Sequence, residues 1–366
     1  MLRRAVAAAG LLALCLLPAQ AQELITKKQV FELPSYTTQS GRTLKNVKVG
    51  WESYGTLNAE KSNAILICHF FSGNSHAASK YSEAEKVPGY WDPINLNAVA
   101  PTVTTGPATV DPDTGKPYGM NFPIVSIRDF VEVQKKLVES LGIKKLHMVA
   151  GASMGGLQTY EWAGSHPDMV GRMMPVIASA EADAGLTGWG DIWAAPIRLD
   201  PKWNGGDYYG KEPPLAGLTQ ALKLVTLHSQ TSAWATATFG AKWAKDGESP
   251  LKSWSNAYAV DAALESGGLG RAKVSDANSF FYLVRAGQLF GEGAAERLKA
   301  MKAPALIIHS PTDLFFPADS VKRTAEAIKA HGVPVGTFVL DGKRGHLDGV
   351  LSIKAAEKEI AAFVAR

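Results

Sequence analysis

Leu146-His-Met-Val-Ala150 runs directly into Gly151-Ala-Ser-Met-Gly-Gly156, and a stretch of helical character, Leu157 to Gly164, follows at once. The five leading residues predict a buried strand, and Gly151-Ala-Ser-Met-Gly155 matches the pattern G-x-S-x-G. Small residues on both sides of Ser153 let the chain make a tight, strained turn that lifts the hydroxyl above the end of the strand. The pattern alone is weak; a strand before it and a helix after it give it meaning. The start of the helix also offers unpaired backbone N–H groups and a positive dipole end, which suit a developing oxyanion. A second apolar run, Met173 to Ala178, then predicts a strand, turn, helix, strand unit of a parallel sheet.

Upstream, alternation such as Val47-Lys-Val49-Gly-Trp51-Glu-Ser53 predicts antiparallel strands between Leu24 and Ser53. Ala64-Ile-Leu-Ile-Cys68 reads as a buried strand, and Phe70 to Gly119, rich in Gly, Pro, Asn and Thr, as a long loop region. Ile127, Phe130, Val131, Val133, Leu137 and Leu141 have helical spacing, ended by Gly142. Downstream, residues 181–300 shift to Trp, Ala, Gly and Lys in helical surroundings, which predicts an inserted helical cap. Its tryptophans, Trp189 and Trp193 among them, read as cap core before ligand cage. Strand character returns at Ala305 to His309 and Val335 to Leu340, and the helix Ile353 to Val364 closes the chain.

A serine hydroxyl is a poor nucleophile until a base takes its proton, so the turn calls for a histidine oriented by a carboxylate. On such a sheet the chain order is Ser, then Asp or Glu, then His. Asp313 follows the strand Ala305 to His309 in Ser310-Pro-Thr-Asp-Leu-Phe-Phe-Pro317, and His346 follows the next strand in Gly342-Lys-Arg-Gly-His-Leu347. Each alone reads as an ordinary turn or loop residue; together and in order they predict the triad Ser153, Asp313, His346 on an α/β-hydrolase fold. That fold is a mostly parallel central sheet flanked by helices, here residues 22–180 and 301–366, with 181–300 as the cap. Asp348 is the second-ranked acid, too near His346 in sequence to orient it from a separate strand end. The oxyanion donors expected are the backbone N–H groups of Met154 and Phe71. Cys68 reads as a strand residue. His69 and His76 lack partners at ligand spacing, so neither a metal nor another cofactor is expected.

The 366 residues are 46% hydrophobic and 20% charged with a net charge of +4, which suits one large domain with an insertion and excludes disorder as the default. No run of like charges marks a nucleic-acid partner. Arg3 and Arg4 precede the apolar run Ala5 to Leu17, then Pro18 and Ala19-Gln20-Ala21, which predicts a signal peptide over 1–21 and a periplasmic or secreted protein. The run is shorter than the ~20 residues of a spanning helix, so no stable membrane anchor is expected. Leu14 before Cys15 argues against a lipoprotein site. After cleavage only Cys68 remains, and no internal disulfide can form.

Tyr54-Gly-Thr-Leu-Asn58, Ser62 to His69, Tyr90-Trp-Asp92, Thr105-Gly-Pro107, Phe122 to Asp129, Gly151 to Gly156, Asp200-Pro201, Gly205 to Tyr209 and Asp313-Leu-Phe-Phe-Pro317 follow one another along the chain. Through these stretches the chain resembles the homoserine O-acetyltransferase family of α/β hydrolases. The resemblance implies an acyl-enzyme on Ser153 and gives Asp313 and His346 the same roles as above. It also implies an aspartate after the catalytic histidine and an arginine before the Asp-Pro pair, both for the amino-acid acceptor. Here Leu347 and Ala194 stand at those places, with Arg198 a helical turn away. A core strand after Asp92 is absent unless Asn95 to Thr105 supplies it. Acetyl-CoA and homoserine are cytoplasmic metabolites, whereas water is the abundant acceptor outside. The expectation is therefore an exported esterase acting on a small ester or acyl donor. The alternatives are an O-acyltransferase using acetyl-CoA and homoserine or a similar alcohol, and a non-catalytic binding protein on a degenerate scaffold. A homodimer is compatible with the sequence.

Overall fold

A computed structural model describes residues 25–92 and 98–366. The expected signal peptide, 1–21, and the start of the segment 95–105 lie outside the described residues. Eight strands form one sheet: β1 (Gln29–Thr37), β2 (Thr43–Tyr54), β3 (Ile65–Cys68), β4 (Ala98–Val103), β5 (Met148–Ala152), β6 (Met173–Val176), β7 (Ala305–His309) and β8 (Val335–Val339). Their spatial order is β1-β2-β4-β3-β5-β6-β7-β8. β1, β2 and β4 pair antiparallel, and every pairing from β4 to β8 is parallel. β3, β5 and β6 are buried at every residue. Helices cover both faces of such strands, which is why they read as unbroken apolar runs.

The helices are α1 (Ile127–Ser140), α2 (Met154–Ser165), α3 (Ala184–Leu199), α4 (Leu215–His228), α5 (Ser232–Phe239), α6 (Ala259–Ala272), α7 (Ala277–Gln288), α8 (Ala294–Ala300), α9 (Ala318–Ala330), the short α10 (Asp348–Leu351) and α11 (Glu357–Val364). α1 starts where Ser126 caps the Asp129 N–H and Asp129 returns a bond to Ser126 N, a reciprocal cap. It stops before Gly142, whose φ of +74° costs other residues strain. Helices α3 to α8 lie in the chain between β6 and β7. Within them α3 packs on α4 and α7, and α4 on α6, while α8 lies on α2. There Arg297 of α8 meets the buried Glu161 of α2 at 3.3 Å.

The reading of Phe70 to Gly119 as uninterrupted loop is corrected by β4, which also fills the place of the strand that appeared absent after Asp92. Ala98-Val-Ala-Pro-Thr-Val103 is short, apolar without alternation, and broken by a proline, so periodicity could not reveal it. Pro101 is tolerated because it lies past the two residues that pair with β3, Ala98 and Val99. Strand β5 ends at Ala152, two residues later than expected, because Gly151 and Ala152 still pair with Pro175 and Val176 of β6. The helix after it begins at Met154 and not at Leu157, so Ser153 is the whole of the turn.

Candidate active site

Because β5, β7 and β8 run parallel, the residues that follow them emerge at one rim of the sheet. Ser153 follows β5 with φ 56° and ψ −120°, outside the regions that a residue with a side chain prefers. The turn is held by a bond from Ser153 N to Val176 O at 2.9 Å. It is also so tightly packed that a Cβ on Gly155 would run into the Cys68 carbonyl and one on Gly156 into Ala178. Asp313 follows β7 and His346 follows β8, and all three side chains are nearly or fully buried.

The structure brings the three together. His346 Nδ1 lies 2.9 Å from Asp313 Oδ2, and His346 Nε2 lies 2.7 Å from Ser153 Oγ. A carboxylate only accepts, so Nδ1 carries the imidazole proton and Nε2 presents its lone pair to the serine hydroxyl. Asp313 Oδ1 accepts from the N–H groups of Phe315 and Phe316 at 2.8 and 3.2 Å. Asp313 is thus both a turn residue and the partner of the histidine. Asp348 is directed elsewhere: fully buried, it accepts from Ser310 Oγ at 2.8 Å, Ser352 Oγ at 3.1 Å and the Arg344 N–H.

Phe71 and Met154, the residues whose N–H groups are the expected oxyanion donors, both border an apolar cavity of about 60 Å³ beside Ser153. Trp193, Leu283, Phe315 and Phe316 form other parts of its wall, and no charged residue among those described lines it. Ala194 is buried in α3, and Arg198 is paired with Asp191 at 2.8 Å in a neighbouring cavity. Leu347 is half-buried beside His346.

Sequence reasoning missed the aromatic stack above the imidazole. Phe315 lies on His346 with centroids 4.3 Å apart, His228 of α4 follows at 4.8 Å, and Trp189 lies against His228 at 4.0 Å. Burial, and then the proximity of His346, push the pKa of His228 down. The doublet Phe315-Phe316 beside Asp313 was visible in the sequence, but nothing local to His228 pointed to this place. His69 donates its Nδ1 proton to the Phe70 carbonyl at 2.9 Å, and His76 faces Glu52 at 3.0 Å, so each has its own partner. Cys68 is buried, and its thiol pKa is raised by that burial. Among the described residues no cluster of His, Cys, Asp and Glu could hold a metal ion, and no helix is long and apolar enough to cross a membrane.

A family model for the alpha/beta hydrolase fold matches residues 63–350. The chain is 35% identical over 331 residues to homoserine O-acetyltransferase of Methanococcoides burtonii, spanning 85% of this chain and 68% of that one. It is 35% identical over 344 residues to homoserine O-acetyltransferase of Carboxydothermus hydrogenoformans, spanning 88% and 90%. Among solved structures, esterase E22 is similar with a TM-score of 0.88 and 41% identity over 93% of this chain and 100% of that one. Homoserine O-acetyltransferase from Bacillus anthracis is similar with a TM-score of 0.87 and 30% identity, over 94% and 98%. Relatives of both kinds are enzymes, and β4 removes the missing strand that motivated a non-catalytic scaffold. An eight-stranded sheet and relatives that match it along most of their length place this chain in the homoserine O-acetyltransferase family of α/β hydrolases.

Proposed function

We propose that the enzyme hydrolyses small, uncharged acyl esters through a covalent intermediate on Ser153. His346 Nε2 takes the hydroxyl proton as Ser153 Oγ attacks the ester carbonyl. The resulting oxyanion is held by the N–H groups of Met154 and Phe71. Collapse expels the alcohol, which receives the proton back from His346, and leaves the acyl group on Ser153. Water, deprotonated by the same imidazole, then releases the acid. Asp313 keeps the ring in the working tautomer and stabilises its charged form.

The observation that carries this reading is the uncharged wall of the cavity beside Ser153. A zwitterionic amino-acid acceptor would bring a carboxylate and an ammonium into a site with no counter-charge, a costly burial. Leu347, Ala194 and the Asp191-paired Arg198 supply none. The family itself favours a second reading, transfer from acetyl-CoA to homoserine or a similar alcohol. The leader read in residues 1–21 supports export, where water is the abundant acceptor.

One comparison separates the two. Purified protein should cleave p-nitrophenyl acetate without any added alcohol, and Ser153→Ala should lose roughly 10⁴-fold or more of that rate together with labelling by a fluorophosphonate probe. Thiol release from acetyl-CoA that appears only when homoserine is added, with no ester hydrolysis, would replace this reading with the transferase.

A further inference from the structure

We propose that an apolar cavity on the far side of the Phe70-to-Gly73 turn is a second acyl subsite, and that Phe71 and Leu283 set acyl-chain length by closing it off from Ser153. This rests on the acyl-ester reading above. The cavity at Ser153 has a volume of about 60 Å³, and the second, bordered by β2, β4, α1 and α7, about 220 Å³. Among the described residues only Phe71 and Leu283 belong to the walls of both. The two side chains therefore form the partition. Phe71 is set edge-on against Phe280 of α7 at 5.1 Å, which fixes its ring. Leu283 adjoins Tyr282, whose hydroxyl donates to the Phe122 and Met120 carbonyls and anchors that turn of α7.

Most polar groups in the wall of the larger cavity already have partners, the buried Thr102 hydroxyl being an exception, and this bears on what the cavity would hold. Asp129 accepts from the Tyr36 hydroxyl at 2.8 Å, Gln39 N at 2.7 Å and Ser126 N at 2.7 Å. Gln134 donates to Gln158 at 2.6 Å and accepts from Trp162 Nε1 at 2.9 Å. Burial lowers the pKa of His69, whose Nδ1 proton is engaged by Phe70. Asp129, Gln134 and His69 Nδ1 are thus engaged within the protein and need no ligand to satisfy them. The remaining surface is that of Leu44, Val47, Phe122, Val125, Phe130 and Val133, suited to a hydrocarbon chain. With the partition in place the enzyme is limited to acetyl-sized groups. Trimmed, it admits a straight chain into the space behind.

The experiment compares kcat/KM for p-nitrophenyl acetate and p-nitrophenyl hexanoate. Unmodified protein should prefer acetate. Burying a methylene is worth about fourfold in affinity, so Leu283→Ala should raise the hexanoate-to-acetate ratio by at least about tenfold. Leu283→Val, the milder change, should shift it the same way by less. Phe71→Ala keeps the backbone N–H and should also shift the ratio. Val225→Ala, which enlarges only the small cavity, should leave it within about threefold of the unmodified value. An unchanged ratio in the Leu283 variants, an equal shift in Val225→Ala, or a preference for hexanoate by the unmodified protein would each overturn the partition. Absence of turnover on either ester by the unmodified protein would instead remove the hydrolase reading beneath it.

Discussion

At the scale of single residues the site is a set of constraints imposed on ordinary groups. Ser153 is held at φ 56°, a strain of about 1–3 kcal/mol that the surrounding turn must outweigh. Gly151, Gly155 and Gly156 permit that turn because no Cβ fits at any of them. Asp313 shows how an orienting group works. Its Oδ1 is committed to the Phe315 and Phe316 N–H groups, so only Oδ2 is free to face the imidazole. Asp313→Asn would therefore keep its carbonyl oxygen on the turn and direct its NH₂ at His346 Nδ1. That ring nitrogen would have to accept, the proton would move to Nε2, and the serine would lose its base. The expected outcome is a fall in kcat of about 10⁴-fold with KM and the circular dichroism spectrum unchanged; a fall of less than about tenfold would contradict the assigned tautomer. The residues of this relay were legible because chain order and strand ends constrain them. His228 was not, because it reaches Phe315 from a helix more than 80 positions away along the chain, and packing between distant segments leaves no local mark.

At the scale of elements, an unexpected residue in a strand explains how the segment before β4 is held. Glu52 of β2 is wholly buried and accepts from Tyr54 Oη at 3.0 Å, Ser75 Oγ at 2.7 Å and Tyr81 Oη at 2.9 Å, with His76 Nδ1 at 3.0 Å. These bonds pin residues 75–81 onto β2. Trp91, further along the same segment, donates to the Gly349 carbonyl three residues past His346. Burial works against ionisation of Glu52, but the hydrogen bonds from His76, Ser75, Tyr81 and Tyr54 outweigh it and hold the carboxyl below its usual range. A depressed folded-state pKa contributes stability that is complete above the unfolded value of about 4.3 and is lost as pH falls through the folded value. Glu52→Gln should accordingly cost about 1–3 kcal/mol at pH 7, measured by urea unfolding, and the gap to the unmodified protein should close below about pH 4. A gap that widens with acid would contradict the assigned charge. Alternation revealed β1 and β2, and unbroken apolar runs revealed β3, β5 and β7. β4 has neither signal, because both of its faces are covered and its proline and threonine resemble a loop.

At the scale of the whole molecule, the sheet is the part that the sequence specifies most directly, and the helices between β6 and β7 the part it specifies least. Parallel strands require crossovers of consistent hand, so a few recognised strands constrain the rest of the order. The helices of the insertion instead find their places by packing on one another and on the rim, which periodicity does not encode. Apolar side chains fill both faces of the sheet, Leu66, Val149 and Ile307 on one and Ile65, Met148 and Ile308 on the other. No disulfide adds to this core if the proposed export removes the leader with Cys15, since the chain has two cysteines. The remaining thiol, Cys68, is enclosed at the end of β3 against Gln134, and burial raises its pKa, so the reactive thiolate is scarce. Protein recovered from a secreting bacterium should therefore show no thiol reactive toward an aromatic disulfide while folded and a single thiol per chain once unfolded in guanidinium, with the same melting temperature with and without reductant. Two thiols on unfolding would mean that the leader is retained and the proposed export fails. One thiol that reacts in the folded protein would mean that the sheet opens at β3, beside the residues that carry Phe71.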